Sequence, residues 1–185
     1  MSRRTRWILL ALIVVVLGGM VALVVVERPK LDDARGRVDR AWVPLRAPDQ
    51  LVARFQKAEG ALSAFDAAGG SDRMVSKDLH AALVAWNRAL KNGDAGRQAT
   101  AANAVEAQTS RLAANVAGSE RLKGDKAITD ALTTFAVTKA NPALIAAYNK
   151  AVRAYEDERS GTLQQPVARV LGYDARPILI VGLSA

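Results

Sequence analysis

His80 is the only histidine in a chain that has no cysteine, so the side chains that most often serve as nucleophile, proton relay and soft metal ligand are nearly missing. Disulfides, thiolate zinc sites, cysteine-held iron–sulfur clusters, cysteine nucleophiles and multi-histidine metal sites are excluded together. His80 sits between Leu79 and the Ala81-Ala82 pair, at the edge of an apolar stripe, where a structural or exposed role is expected. The acidic run Glu156-Asp157-Glu158 offers carboxylates for a cation or for acid–base work. Adjacent helical positions point apart, however, so the run reads as a solvated helix end. Gly93-Asp94-Ala95-Gly96 has glycines at loop spacing but lacks the lysine and the preceding strand of a phosphate cradle. Trp86, Tyr148 and Tyr155 are the aromatic groups that could line a small-ligand pocket between helices. At helical spacing the tyrosines equally suit a core with the hydroxyls at its rim. No catalytic constellation is legible, and no enzyme activity, cofactor or metal is expected.

Charge narrows the partners. The 185 residues carry 26 Lys and Arg against 18 Asp and Glu, a net +8. Arg3, Arg4 and Arg6 precede an uncharged stretch, and without them the balance is only mildly basic. The remaining cations alternate with acids and lack interleaved aromatic stacking positions, so nucleic acid is not an expected partner. Arg28, Lys30 and Arg35 differ, because they follow directly on the apolar run and are placed to touch a lipid surface.

That run, Trp7 to Val26, holds 20 residues with no charge. As a helix rising 1.5 Å per residue it is roughly 30 Å long, the thickness of a hydrocarbon core. Small residues do not stand at both positions a signal peptidase reads, with Met20 or Leu17 falling at the outer one, so an uncleaved anchor is expected. The short tail of three arginines favours an inside N-terminus and an outward domain, although Arg28 to Arg40 compete with it. The expected organisation is a basic tail at 1–6, a transmembrane anchor helix at 7–26, a helical domain at 27–176 and an apolar tail at 177–185.

Beyond Val26 apolar residues recur every three or four positions, and no stretch alternates with period two. The blocks are Leu31 to Leu45, Leu51 to Phe65, Val75 to Leu90 with Ser71 as N-cap, an alanine-rich and weaker block from Ala101 to Val116, Leu122 to Phe135, and Leu144 to Tyr155. Asn141-Pro142 is the clearest start signal, an N-cap followed by proline at the first helical position. Narrow stripes must bury against one another, and short connections make neighbours antiparallel. An all-α antiparallel bundle follows, and because adjacent blocks can fuse into longer helices, notably the two flanking Pro44 and Pro48, a four-helix core fits as well as five or six separate helices. The tail from Pro177 to Leu183 is apolar and β-rich, and is expected to dock on the bundle.

Near the C-terminus, Tyr148-Asn149-x-Ala151-Val152-Arg153-x-Tyr155 is followed seventeen residues later by Gly172-Tyr173 and then by Pro177. Closer to the start, Val38-x-x-Ala41-Trp42 follows the anchor. Both resemble signatures of the LemA family, and the chain is similar to a divergent member over Ala143 to Pro177 and Leu31 to Trp42. Between them it departs: Leu51-Val52 follows Trp42 after nine residues, Pro48-Asp49-Gln50 replaces the family's longer stretch, and the late proline is displaced to Pro166. The resemblance implies a membrane-anchored helical bundle with a four-helix, up-and-down-like core, without established enzymatic activity and with its domain inside. The expected function is a structural or interaction role on a cell membrane, with the bilayer and an unidentified protein as partners. An extracytoplasmic ligand-sensing bundle is the alternative.

Overall fold

A computed structural model describes the backbone of residues 3–92 and 94–182; of residues 3–6, 8–11, 13, 16, 17 and 92 the side chains lie outside the description. Among the described residues every regular element is helical. Helix α1, Arg3–Trp42, is 40 residues long and runs without interruption from the apolar stretch into the domain. Then come α2 (Ala53–Phe65), α3 (Met74–Asn92), α4 (Ala95–Ala117), the single turn α5 (Glu120–Lys123), α6 (Lys126–Val137), α7 (Pro142–Ser160) and α8 (Gln164–Leu171).

Two of the rods are broken, and they break side by side. Pro44 and Pro48 cannot donate backbone hydrogen bonds, so α1 and α2 are joined by short turns at Val43–Arg46 and Pro48–Val52. Opposite them, α6 stops at Thr138 and α7 restarts behind Asn141, whose side chain accepts from the Ala143 N–H. Gln50 Oε1 stitches the breaks together by accepting the Asn141 N–H at 2.8 Å. Below the break α1 packs on α7, above it α2 packs on α6, and α3 packs on α4. The Trp42–Tyr148 and Glu27–Gln164 contacts make α1 and α7 antiparallel. Arg73–Asn115 and Gln98–Ala89 do the same for α3 and α4. The result is an antiparallel bundle of four rods, one of the arrangements that the apolar periodicity allows.

The predicted stripes are the core: Leu31, Val38, Trp42, Leu51, Phe55, Phe65, Leu79, Leu112, Ile128, Tyr148 and Tyr155 are all buried. Two expectations need correction. Ser71 does not cap α3, which starts at Met74, because Gly69 takes a left-handed turn (φ +83°) and Gly70 lies against the Phe65 ring, where a Cβ would come within 2.2 Å. The alanine-rich block is not weak either. Helix α4 buries Ala95, Ala99, Ala102, Val105 and Leu112 together with Gln98, Glu106 and Thr109, its small residues letting the neighbouring axes close on it. Thr109 donates to the Val105 carbonyl, while Gln98 accepts from the Trp42 indole and donates to the Ala89 carbonyl.

Among the described residues no helix is long and apolar enough to cross a membrane. The expected anchor falls partly outside the description, since seven of the 20 side chains from Trp7 to Val26 are not described. Of the expected basic tail at 1–6, Met1, Ser2 and the side chains of 3–6 lie outside it, while the backbone of 3–6 opens α1; Leu183–Ala185 of the apolar tail also lie outside it.

Arg54 resolves the break in the rods. It is 2 % exposed. Nε and Nη2 donate to Glu106, the second at 2.9 Å, and Nη1 donates to the carbonyls of Phe135 and Thr138, which end α6. The guanidinium lies 4.0 Å from the Phe135 ring centre. Removing one partner of a buried pair leaves a charge without compensation, which costs about 3–5 kcal/mol, whereas replacing both by apolar groups is often neutral. We therefore expect Arg54→Ala to lower the unfolding free energy by about that amount, and the Arg54→Met/Glu106→Leu double variant to lose much less. Urea unfolding followed by circular dichroism measures both.

Candidate functional site

The C-terminal segment fills a groove between α4 and α7, where five side-chain hydrogen bonds hold its backbone. Asn103 on α4 donates to the Ile178 carbonyl at 2.8 Å and accepts the Ile180 N–H at 2.9 Å. Asn149 on α7 donates to the Leu179 carbonyl at 2.9 Å and accepts the Leu179 N–H at 2.7 Å. The Tyr148 hydroxyl donates to the Pro177 carbonyl at 3.0 Å. An extended chain presents its polar groups alternately left and right, and each asparagine supplies one side as a neighbouring strand would. Leu179 and Val181 point inward and are buried, while Ile178 and Ile180 point outward. The tail thus docks as its apolar composition requires, and every one of these bonds is to its backbone.

Upstream of the clamp the chain is locked by charge. Gly172 adopts a left-handed conformation (φ +70°) that ends α8 and lets the Tyr173 N–H reach the Ala168 carbonyl. The Tyr173 hydroxyl donates to Asp32, and Tyr155 donates to the Asp174 carbonyl at 2.9 Å. Arg176 is buried. Its guanidinium donates to Asp94 at 2.5 Å and stands 3.9 Å from Asp39, while its N–H donates to Glu156 at 2.7 Å. It lies flat on the first turn of α4, where a Cβ on Gly96 would come within 2.4 Å of it. Beside it is a polar cavity of about 180 Å³ lined by Arg35, Asp94, Arg97, Thr100, Tyr155 and Asp174.

Asp94 and the three tyrosines are moved away from neutrality. Burial works to raise the Asp94 carboxyl, but hydrogen bonds from the Arg97 N–H and Arg176, together with the Arg176 charge, outweigh it and hold its pKa below the ordinary value. Burial pushes Tyr148, Tyr155 and Tyr173 upward, reinforced at Tyr148 by the charges of Asp39 and Asp94 and at Tyr173 by Asp32. Each group keeps one protonation state near pH 7, which suits fixed hydrogen bonding rather than proton transfer.

The residues singled out from sequence are dispersed. Trp86 packs edge-on against Phe55, and Tyr148 packs edge-on against Trp42. Tyr155 lines the Arg176 cavity. The three do not share a pocket, because α3 packs on α4 while α7 packs on α1. Arg28 pairs with Asp32 at 3.5 Å and Lys30 with Glu27 at 3.0 Å, both still exposed, whereas Arg35 turns into the bundle toward Asp94 at 3.7 Å. His80 is exposed in a shallow groove with Glu59, Asp66 and Asn87. Among the described residues no group of three or more His, Asp or Glu could hold a metal ion. Glu156 belongs to the tail lock rather than to a solvated run. Asn103 gives no sequence signal at all, and Asn149 stands inside a recognisable motif without a legible role. Comparison of the chain with protein-family models, curated proteins and solved structures found no match.

Five hydrogen bonds at about 1 kcal/mol each and two aliphatic side chains at about 1.5–3 kcal/mol each oppose about 1–2 kcal/mol per residue for ordering Pro177–Val181. The two sides cancel to within a few kcal/mol. We therefore expect Asn149→Ala to release the tail to proteolysis and amide exchange while leaving the bundle's thermal midpoint nearly unchanged. All three of the chain's tyrosines have raised pKa values, so their stabilising effect is complete below pH 10 and is lost as pH rises through the folded values. Tyrosinate absorbance at 295 nm should then appear only above pH 10, together with loss of helix.

Proposed function

We propose that the chain is a single-pass membrane protein in which Trp7–Val26 anchors the helical bundle to a bilayer and the bundle serves a structural or interaction role. The observation that carries this reading is the surface of α1. Trp7, Leu12, Val14, Val15, Val21, Val25 and Val26 are each 58–72 % exposed on a stretch without a charged residue, and at roughly 100° per residue they span about half of its circumference. Such a surface needs an apolar environment, and among the described side chains of the stretch only Leu23 and Val24 pack against the core. The LemA-like signatures agree with a tethered bundle. Site chemistry supports holding rather than turnover, because Asp94 and the three tyrosines around the tail are shifted away from neutral pH and serve as fixed hydrogen-bonding groups. The compact arginine tail favours an outward domain and the family resemblance an inward one.

Full-length protein is expected in the membrane pellet after a high-speed spin, resistant to alkaline carbonate and released by detergent. Recovery of the intact chain in the supernatant would overturn the anchor. A pair of reporters fused after Ala185, one active inside and one outside, fixes the side.

A further inference from the structure

On the anchor reading, the level of the bilayer surface on the bundle can be worked out. The apolar stretch ends at Val26, so Glu27 marks the edge of the hydrocarbon. Glu27 is a charged residue only 4 % exposed, and its carboxylate is satisfied within the protein, accepting from Lys30 Nζ at 3.0 Å and from Gln164 Nε2 at 2.9 Å. Gln164 opens α8, so the first turn of α8 stands at the height of Glu27. Tyr173, after the end of α8, meets Asp32, five residues or about 7.5 Å farther along α1. The headgroup layer on each side of a bilayer is roughly 5–7 Å deep, which is about the rise from Glu27 to Asp32. Bundle side chains also reach past Glu27 toward the anchor, since Leu23 and Val24 are half-buried against the core.

Helix α8 is built for two environments. Val167 and Ala168 are buried. On a flank that nothing in the bundle covers stand Leu163, 54 % exposed, Pro166, and Val170, 66 % exposed, at spacings of three and four residues. Gln165 and Arg169 occupy the other exposed flank. We propose that the first turn of α8 lies in the headgroup layer of the anchoring bilayer, with Leu163 inserted at the apolar edge and Val170 farther out. The contact is apolar, since the cations at this end are met by acids, Lys30 by Glu27, Arg28 by Asp32 and Arg159 by Glu156, with Asp157 and Glu158 against Arg169, and it requires no anionic lipid. It gives the bundle a second point of support beside α1 and sets its tilt on the membrane.

Because the natural chain has no cysteine, single cysteines report single positions. Full-length protein carrying Leu163→Cys, Val170→Cys, Val15→Cys or Met74→Cys, each labelled with an environment-sensitive dye, is reconstituted into phosphatidylcholine vesicles containing a lipid-borne quencher. Met74 is 71 % exposed and starts α3 at the far end, beside Arg73–Asn115 and Ser76–Asp66. The expected order of quenching is Val15, Leu163, Val170, Met74, with the label at 163 quenched several-fold more than that at 74. A nitroxide at 163, less apolar than the dye, should show higher oxygen than nickel accessibility. Strong quenching at 15 with 163 no different from 74 overturns the α8 contact and leaves the anchor standing. Absence of quenching at both 15 and 163 overturns both.

Discussion

The fold depends on one buried cation. Two prolines break the first rod, and a second rod breaks at the same height. The second break leaves carbonyls, those of Phe135 and Thr138, that a continuing helix would have satisfied. Arg54 answers with a planar set of donors, two toward the carboxylate of Glu106 and one toward two carbonyls at the end of α6. A lysine offers no such fork. Because Arg54, Glu106 and Phe135 belong to α2, α4 and α6, the pair also fixes the relative height of three helices, which apolar contacts alone leave free to slide.

Around that pin the bundle is organised by α4. Its alanines bring the neighbouring rods close, and its three buried polar residues have partners: Gln98 with Trp42 and Ala89, Glu106 with Arg54, Thr109 with its own preceding turn. The same helix supplies Asn103, the bed for Arg176 and the Asp94 cap, so one element holds the core on one face and the C-terminal segment on another. Packing and site are therefore mechanically continuous.

The apolar stripes, the antiparallel order, the Asn141-Pro142 start and the docking of the tail were all legible in the residues, because each is a local or periodic signal. What escaped was long-range and polar. Arg54 and Glu106 are 52 positions apart and look like surface charges on any helical wheel. Asn103 is one more polar residue in an alanine-rich run. Trp86, Tyr148 and Tyr155 looked like one aromatic set because spacing along a helix says nothing about which rods become neighbours. The break at Pro44–Pro48 decided that, by folding two blocks into one bent rod and sending α3 to the other side of the bundle.

Side chains that grip a backbone leave its alignment open, since asparagine cannot tell Leu179 from its neighbours two places away. Here a residue without an amide proton acts as a pawl. Were the strand to slide so that Pro177 came opposite Asn149, the carbonyl oxygen of that asparagine would face a ring nitrogen with nothing to donate. Motion the other way is stopped where Arg176 is seated between carboxylates. An imino acid and a guanidinium next to each other thus allow a single alignment, while the outward side chains at 178 and 180 remain free to change identity.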